Sequence, residues 1–222
     1  MKRIVGIMKK IAQNEARAIH TTELGIVTAI FPHKSESDKE NYQCNVKLKN
    51  KKLVDGKDFE LREVPVASPY MGLVCIPNVG DLVLISFIGG NIDAPIITGR
   101  LYNDKDIPPV NKEKEFLLQH DVKKGGSIKL DAEGKIIITS KNEKNIITVE
   151  DEKVSTQGEK FSITIDTAAG KISINSDTDM EFKSKNGKFV IDAKEISMKS
   201  GGAVKVDASG AVKVKGSTID LN

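Results

Sequence analysis

Tryptophan is absent from this 222-residue chain, aromatics make up only 5% of it, and there are just two cysteines and three histidines. Each scarcity excludes something. With so few rings there is little material for a thick, aromatic-rich globular core, so a narrower one is expected. Cys44 and Cys75 have no CxxC or Cys/His spacing around them, which removes zinc sites and dithiol redox motifs from consideration. Both fall in apolar, strand-like stretches and read as buried free thiols made in a reducing compartment. His20, His33 and His120 stand far apart, without partners at metal-ligand spacing. An excess of one charge is missing too, since 34 basic and 31 acidic residues leave +3. The cluster Lys47, Lys49, Lys51 and Lys52 is followed at once by Asp55, Asp58 and Glu60. Such a balance argues against nucleic acid as the partner.

Long apolar runs are equally lacking. Nothing approaches the 18 or so residues of a membrane span, and residues 4–8, held between basic pairs, are too short for the apolar region of a signal peptide. Neither Sec-type export nor membrane integration is expected. Phosphate-binding glycine motifs and a nucleophile elbow are also absent, and the carboxylates alternate with lysines in a way that solubility explains. No catalytic residue, metal or cofactor is therefore assigned.

What is present divides into regions. Residues 1–19 place Ile4, Met8, Ile11 and Ala12 at helical spacing, which predicts a short amphipathic helix that must cover some other surface. Over 23–102 the apolar residues alternate with period two. Strands are expected at 25–31, 42–48, 59–66, 71–76, 82–87 and 95–101, and five or six short strands in some 80 residues suit a small closed barrel, here bounded at 20–103. Residues 104–115, with Pro108-Pro109 and a run of charges, read as a linker.

From Gly125 onward a repeat takes over. Apolar pairs at i and i+2 recur as Ile128/Leu130, Ile136/Ile138, Ile147/Val149, Ile163/Ile165, Ile172/Ile174, Met180/Phe182, Phe189/Ile191, Ile196/Met198, Val204/Val206, Val212/Val214 and Ile219/Leu221, with Val154 between the third and fourth. Turn residues such as Glu133-Gly134, Ala169-Gly170, Asn186-Gly187 and Ser209-Gly210 separate them. Each unit is one strand and one turn, dry on one face and wet on the other. A dry stripe two side chains wide cannot be buried by a flat sheet alone. Either a single chain coils as a solenoid, or three chains wind together and each supplies one wall of a prism. The periodicity leaves both open.

The stretch 76–87, with Pro77, Gly80-Asp81, alternating aliphatics and Phe87, continues through Gly89-Gly90 to Pro95, Gly99 and the ending Leu101-Tyr102-Asn103. It resembles the OB-fold domain of phage baseplate assembly protein V and VgrG-like central spike proteins of contractile injection systems. The resemblance implies an all-β chain with a short N-terminal helix, an OB-fold barrel, and an intertwined trimeric triple-stranded β-helix needle over 116–222. Such a chain would be made in the bacterial cytoplasm without a signal peptide and built into a virion tail or injection particle. As a homotrimer it would meet hub and tube proteins at its N-terminal end and cross the target envelope transiently. Short spikes of this family can carry an iron-binding His-x-His at the apex, whereas no histidine follows His120 here. The end Thr218, Ile219, Asp220, Leu221, Asn222 is therefore expected to receive a separate PAAR-like tip protein. Two other classes stay in view: an OB-fold nucleic-acid-binding module using Tyr42 and Phe59, and a monomeric β-solenoid adhesin.

Overall fold

The computed structural model describes residues 4–8, 22–39 and 42–220. Residues 4–8 are helical; the rest of the helix expected over 1–19 lies outside the described residues, as do His20, Leu221 and Asn222. The chain divides into two compact units, Met1–Asp177 and Thr178–Asn222.

Five strands build the first sheet: β1 (Thr22–Phe31), β2 (Gln43–Lys52), β3 (Asp58–Pro65), β4 (Leu82–Phe87) and β5 (Pro95–Leu101). Their order is β3-β2-β1-β4-β5, and a parallel bridge between Val66 and Ile97 joins the two edges. Closing the ring in this way removes the free edges. Register shifts at Val27/Ala29 in β1 and Leu84/Ile85 in β4 add the local bend and twist that a sheet needs to curl. The alternation read from sequence is obeyed: Cys44, Val46 and Leu48 of β2 point inward, while Asn45 and Lys47 point out. With Val27, Leu61, Val64, Val83, Ile85, Phe87 and Ile97 they form one core.

The stretch 71–76 is not a strand. Gly72 has a φ of 105° and the Leu73 amide donates to the Tyr70 carbonyl, so the apolar run after Pro69 turns back on itself instead of extending. Met71 and Val74 face outward, at 89% and 78% exposure, and Ile76 packs against the barrel core. The expectation of two buried thiols fails with it. Cys44 is fully buried, and burial pushes its thiol up to about 11. Cys75 sits exposed in the loop.

A second sheet of seven strands follows the linker: β6 (Phe116–Gln119), β7 (Ser127–Leu130), β8 (Ile136–Thr139), β9 (Ile146–Val149), β10 (Lys153–Gln157), β11 (Phe161–Asp166) and β12 (Lys171–Ser176). Every strand pairs antiparallel with its sequence neighbour. This is a meander and not a coil, so the single-chain solenoid does not describe 116–176. The turns are chemically specified. At Asp131 the carboxylate accepts the Glu133 and Lys135 amides at 3.1 and 2.9 Å, and Gly134 takes the positive φ of 89° that closes the hairpin. The pair Phe116/Leu118 in β6 extends the same pattern upstream of Ile128.

One glycine in the barrel is required by space. A Cβ on Gly25 would lie 2.3 Å from Val46 Cγ1 and 2.7 Å from Ile85 Cδ1, where β1 is clasped by β2 and β4. Gly25→Val should overpack this crossing and destabilise the barrel by about 1–3 kcal/mol, read as a lower midpoint in denaturant unfolding.

Candidate functional site

The registers of β6 to β12 define the face that matters. Partners across a sheet share a side, so Phe116, Leu130, Ile136, Val149, Val154, Ile165 and Ile172 form one column. Leu118, Ile128, Ile138, Ile147, Thr156, Ile163 and Ile174 form the second. Among these fourteen positions only Thr156 is polar. At about 4.8 Å per strand the two columns run for about 29 Å. The apolar members are 36% to 69% exposed, and they are the more open side of the sheet: in β8 and β9 the apolar columns are exposed and the opposite residues half-buried. The stripe is long and uncovered, whereas a soluble monomer seldom leaves an apolar patch beyond a few hundred Å².

The opposite face is finished within the chain. Lys129 reaches back to Glu115 at 2.8 Å, Lys144 meets Glu159 at 2.7 Å, and Lys135 pairs with Glu150. The Lys129 hydrogen bond holds the Glu115 carboxyl below the usual carboxylate range, against the opposing effect of its enclosure; that side chain is only 6% exposed. The hydrogen bond to Glu150 raises Lys135 in the complementary way.

Among the described residues, 178–220 hold no strand. The expected core residues Met180, Phe182, Phe189, Ile191, Ile196, Met198, Val204, Val206, Val212 and Val214 are all exposed, at 46% to 78%. Phe182 and Phe189 stack 5.9 Å apart, which shows the chain doubling back between them. Thr218, Ile219 and Asp220 of the expected tip are likewise exposed. The structure thus brings together the apolar pairs up to Ile174 on one face and leaves the later ones unassembled within a single chain.

The barrel signature has a different job. Gly80 takes a φ of 98°, and its amide donates to the Val27 carbonyl at 2.9 Å. The Asp81 carboxylate accepts the Asn78 amide at 2.9 Å and lies 3.4 Å from Arg100. Pro77 is fully buried and Phe87 is in the core; Pro95 pairs with Phe87. Nothing in the structure explains glycine at 99, where a Cβ would meet open space. Sequence reading missed Arg100. Its guanidinium donates to the Cys75 carbonyl at 2.6 Å and touches the Cys75 sulfur, while the Cys75 amide donates to the Tyr42 hydroxyl at 2.5 Å. Together these anchor the loop between β3 and β4. The aromatics considered for base stacking are occupied, since Phe59 packs on the core and Tyr42 holds the loop. A groove of about 410 Å³ beside Arg100, Asp81, Tyr102 and His120 is open and mixed in character. Among the described residues no group of three His, Cys, Asp or Glu side chains is placed to hold a metal ion, and no helix is long and apolar enough to cross a membrane.

Residues 35–102 match the family described as the type VI secretion system/phage-baseplate injector OB domain. Over 43 residues the chain is 42% identical to the actin cross-linking toxin VgrG1 of Vibrio cholerae serotype O1. That match covers 19% of this chain and 4% of the relative, so the chain spans a small fraction of that curated protein. The match takes in β2 to β5 of the barrel, and over that part the chain is similar to the injector OB domain of VgrG-like baseplate spike proteins.

The Glu115 pair makes a pH test. A carboxylate lowered in the folded state contributes stability that is present above its unfolded pKa and is lost as pH falls through the folded value. Glu115→Gln should therefore flatten the acid limb of the stability profile below about pH 4, measured as denaturation midpoint against pH, and leave the neutral region less stable than wild type.

Proposed function

We propose that the chain is the structural central spike of a contractile injection system, whether a phage tail, a bacteriocin-like particle or a type VI-like apparatus. In this reading it acts as a homotrimer, performs no catalysis, and punctures the target envelope when the sheath contracts. The observation that carries it is the uncovered double column on β6 to β12, joined in one chain to an injector OB domain. Three such sheets around an axis would enclose both columns, with Lys129, Lys135 and Lys144 kept in water on the outer wall. Burying a Leu or Ile side chain is worth about 1.5–3 kcal/mol, so thirteen apolar positions per copy supply a large drive for association.

Residues 178–220 continue the reading. Among the described residues their apolar pairs have no strand partner, which suits strands that pair only between copies and extend the triple-stranded β-helix to residue 222. The barrel would face the hub and tube proteins. The end at Thr218, Ile219, Asp220, Leu221 and Asn222 would present strand edges and apolar side chains on which a PAAR-like tip protein could settle by backbone pairing. Such a particle component is assembled in the bacterial cytoplasm. Domain limits at 1–19, 20–103, 104–115 and 116–222 fit this plan.

Sedimentation or light scattering should give three times the chain mass at micromolar concentration, and a stable folded monomer would refute the spike. Ile138→Asp and Phe189→Asp each place three carboxylates at one level of a dry prism, where an unpaired charge costs several kcal/mol. Both should abolish the trimer in the same measurement, while the barrel, whose core is separate, keeps its fold by circular dichroism. Deleting residues 217–222 should leave the trimer intact and remove binding of the tip protein; retained binding would place that partner elsewhere.

A further inference from the structure

Apolar burial alone leaves the level of one copy against another undecided. Thirteen of the fourteen positions in the two columns of β6 to β12 are aliphatic or Phe, so a copy displaced by a strand or two along the stack still sets dry residues against dry residues. Residues 104–115 hold no strand, so no ladder carries the position of the barrel into the sheet. The exception in the columns is Thr156. It stands between Ile147 of β9 and Ile163 of β11, with Val154 two residues before it on the same face. A Cβ on Gly158 would lie 2.2 Å from Cε1 of Phe161, so the Phe161 ring covers the backbone two residues beyond Thr156, again on that face. Val154, Ile147, Ile163 and Phe161 thus surround the hydroxyl with apolar groups within the sheet. Thr98 and Thr167 donate their hydroxyls to the carbonyls of Leu84 and Glu152, whereas that of Thr156 has no hydrogen-bond partner among the described residues.

We propose that Thr156 is the node that fixes the register of the three copies. The inference deepens the spike reading and rests on it, because the hydroxyl loses its water only once the columns are covered. Three-fold symmetry brings the three Thr156 side chains to one level. Each hydroxyl carries one donor and two acceptor sites, so three around an axis satisfy one another by donating in a ring, directly or through one water held on the axis. Three lysines or three glutamates could not do so, since identical ionised groups repel. In a displaced copy the hydroxyl meets isoleucine and is left dry and unpaired, which is far less favourable than an apolar side chain of the same shape. A single buried polar residue in an otherwise apolar seam selects register in this way in coiled coils, at some cost in stability.

The test uses the full chain with 13C-labelled isoleucine δ1-methyl groups, observed by NMR, and with the mass measured by light scattering on the same sample. A level trimer has three-fold symmetry and gives one signal for each isoleucine of β6 to β12. Displacing one copy breaks the symmetry and makes the same methyl inequivalent between copies. Wild type should give a single set at trimer mass. Thr156→Val, which keeps the shape and removes the hydroxyl, should remain trimeric and show additional signals for Ile138, Ile147 and Ile163. Thr156→Ser should keep the single set. Moving the node one strand along the column, with Ile147→Thr added to Thr156→Val, should restore a single set, an outcome that a merely structural threonine would not produce. A single set in Thr156→Val overturns the proposal, and so does its dissociation, which would make the hydroxyl a source of association instead of register. Any result but a single set at trimer mass in Thr156→Ser or in the double variant overturns it as well. These outcomes with a trimeric wild type leave the spike intact, whereas a monomeric wild type overturns the spike reading and this proposal with it.

Discussion

A strand with two inward side chains cannot bury them by itself, and the sheet from Phe116 to Ser176 is built from such strands. Stacking seven of them in a meander satisfies the interior backbone ladders, but it gathers the apolar residues into two columns on one open face without giving them a second layer. A two-layer arrangement is the minimum that excludes water from an apolar sheet face. No part of β6 to β12 folds back to provide it, so the covering layer must come from outside the sheet. Arrangement in copies around an axis is the economical answer for so narrow a stripe, and it is the basis of the needle proposed here.

The barrel solves the same problem in the opposite way. Strands of six to ten residues are long enough to bend, and bulges let the sheet curl until Val66 meets Ile97. The inward face then packs against itself. Its largest excursion, the loop between β3 and β4, is fixed by polar contacts from Arg100 and Tyr42 instead of by burial. That leaves Tyr70, Met71 and Val74 on the outside in a loop whose backbone is nevertheless held. The barrel is self-sufficient, while the repeat depends on neighbours.

Charge follows the same division of labour. Where strands are paired within the chain, lysine and glutamate close on one another across the wet face and leave it close to neutral. From Thr178 to Asp220 eight lysines stand against six carboxylates, and Lys183 with Glu181 is an ion pair between close neighbours in sequence.

Much of this was legible from residues alone. Period-two alternation located β1, β2, β3, β4 and β5 to within a few residues, and the recurring i, i+2 pairs located β7 to β12, because side-chain alternation is a local property of extended backbone. The same local signal misplaced 71–76, where an apolar run has strand composition but Gly72 and the flanking prolines turn it, and it made Cys75 look buried. Arg100 left no mark in the pattern, since its role depends on a carbonyl 25 residues away in sequence. Thr156 was also invisible as the lone polar member of a column, because a column exists only once registers are known. The sequence by itself determined which residues would be dry and which wet. Only the tertiary structure decided whether a dry face meets its own chain, as in the closed barrel, or is left facing outward, as on β6 to β12, because strand pairing and closure are contacts between residues distant along the chain.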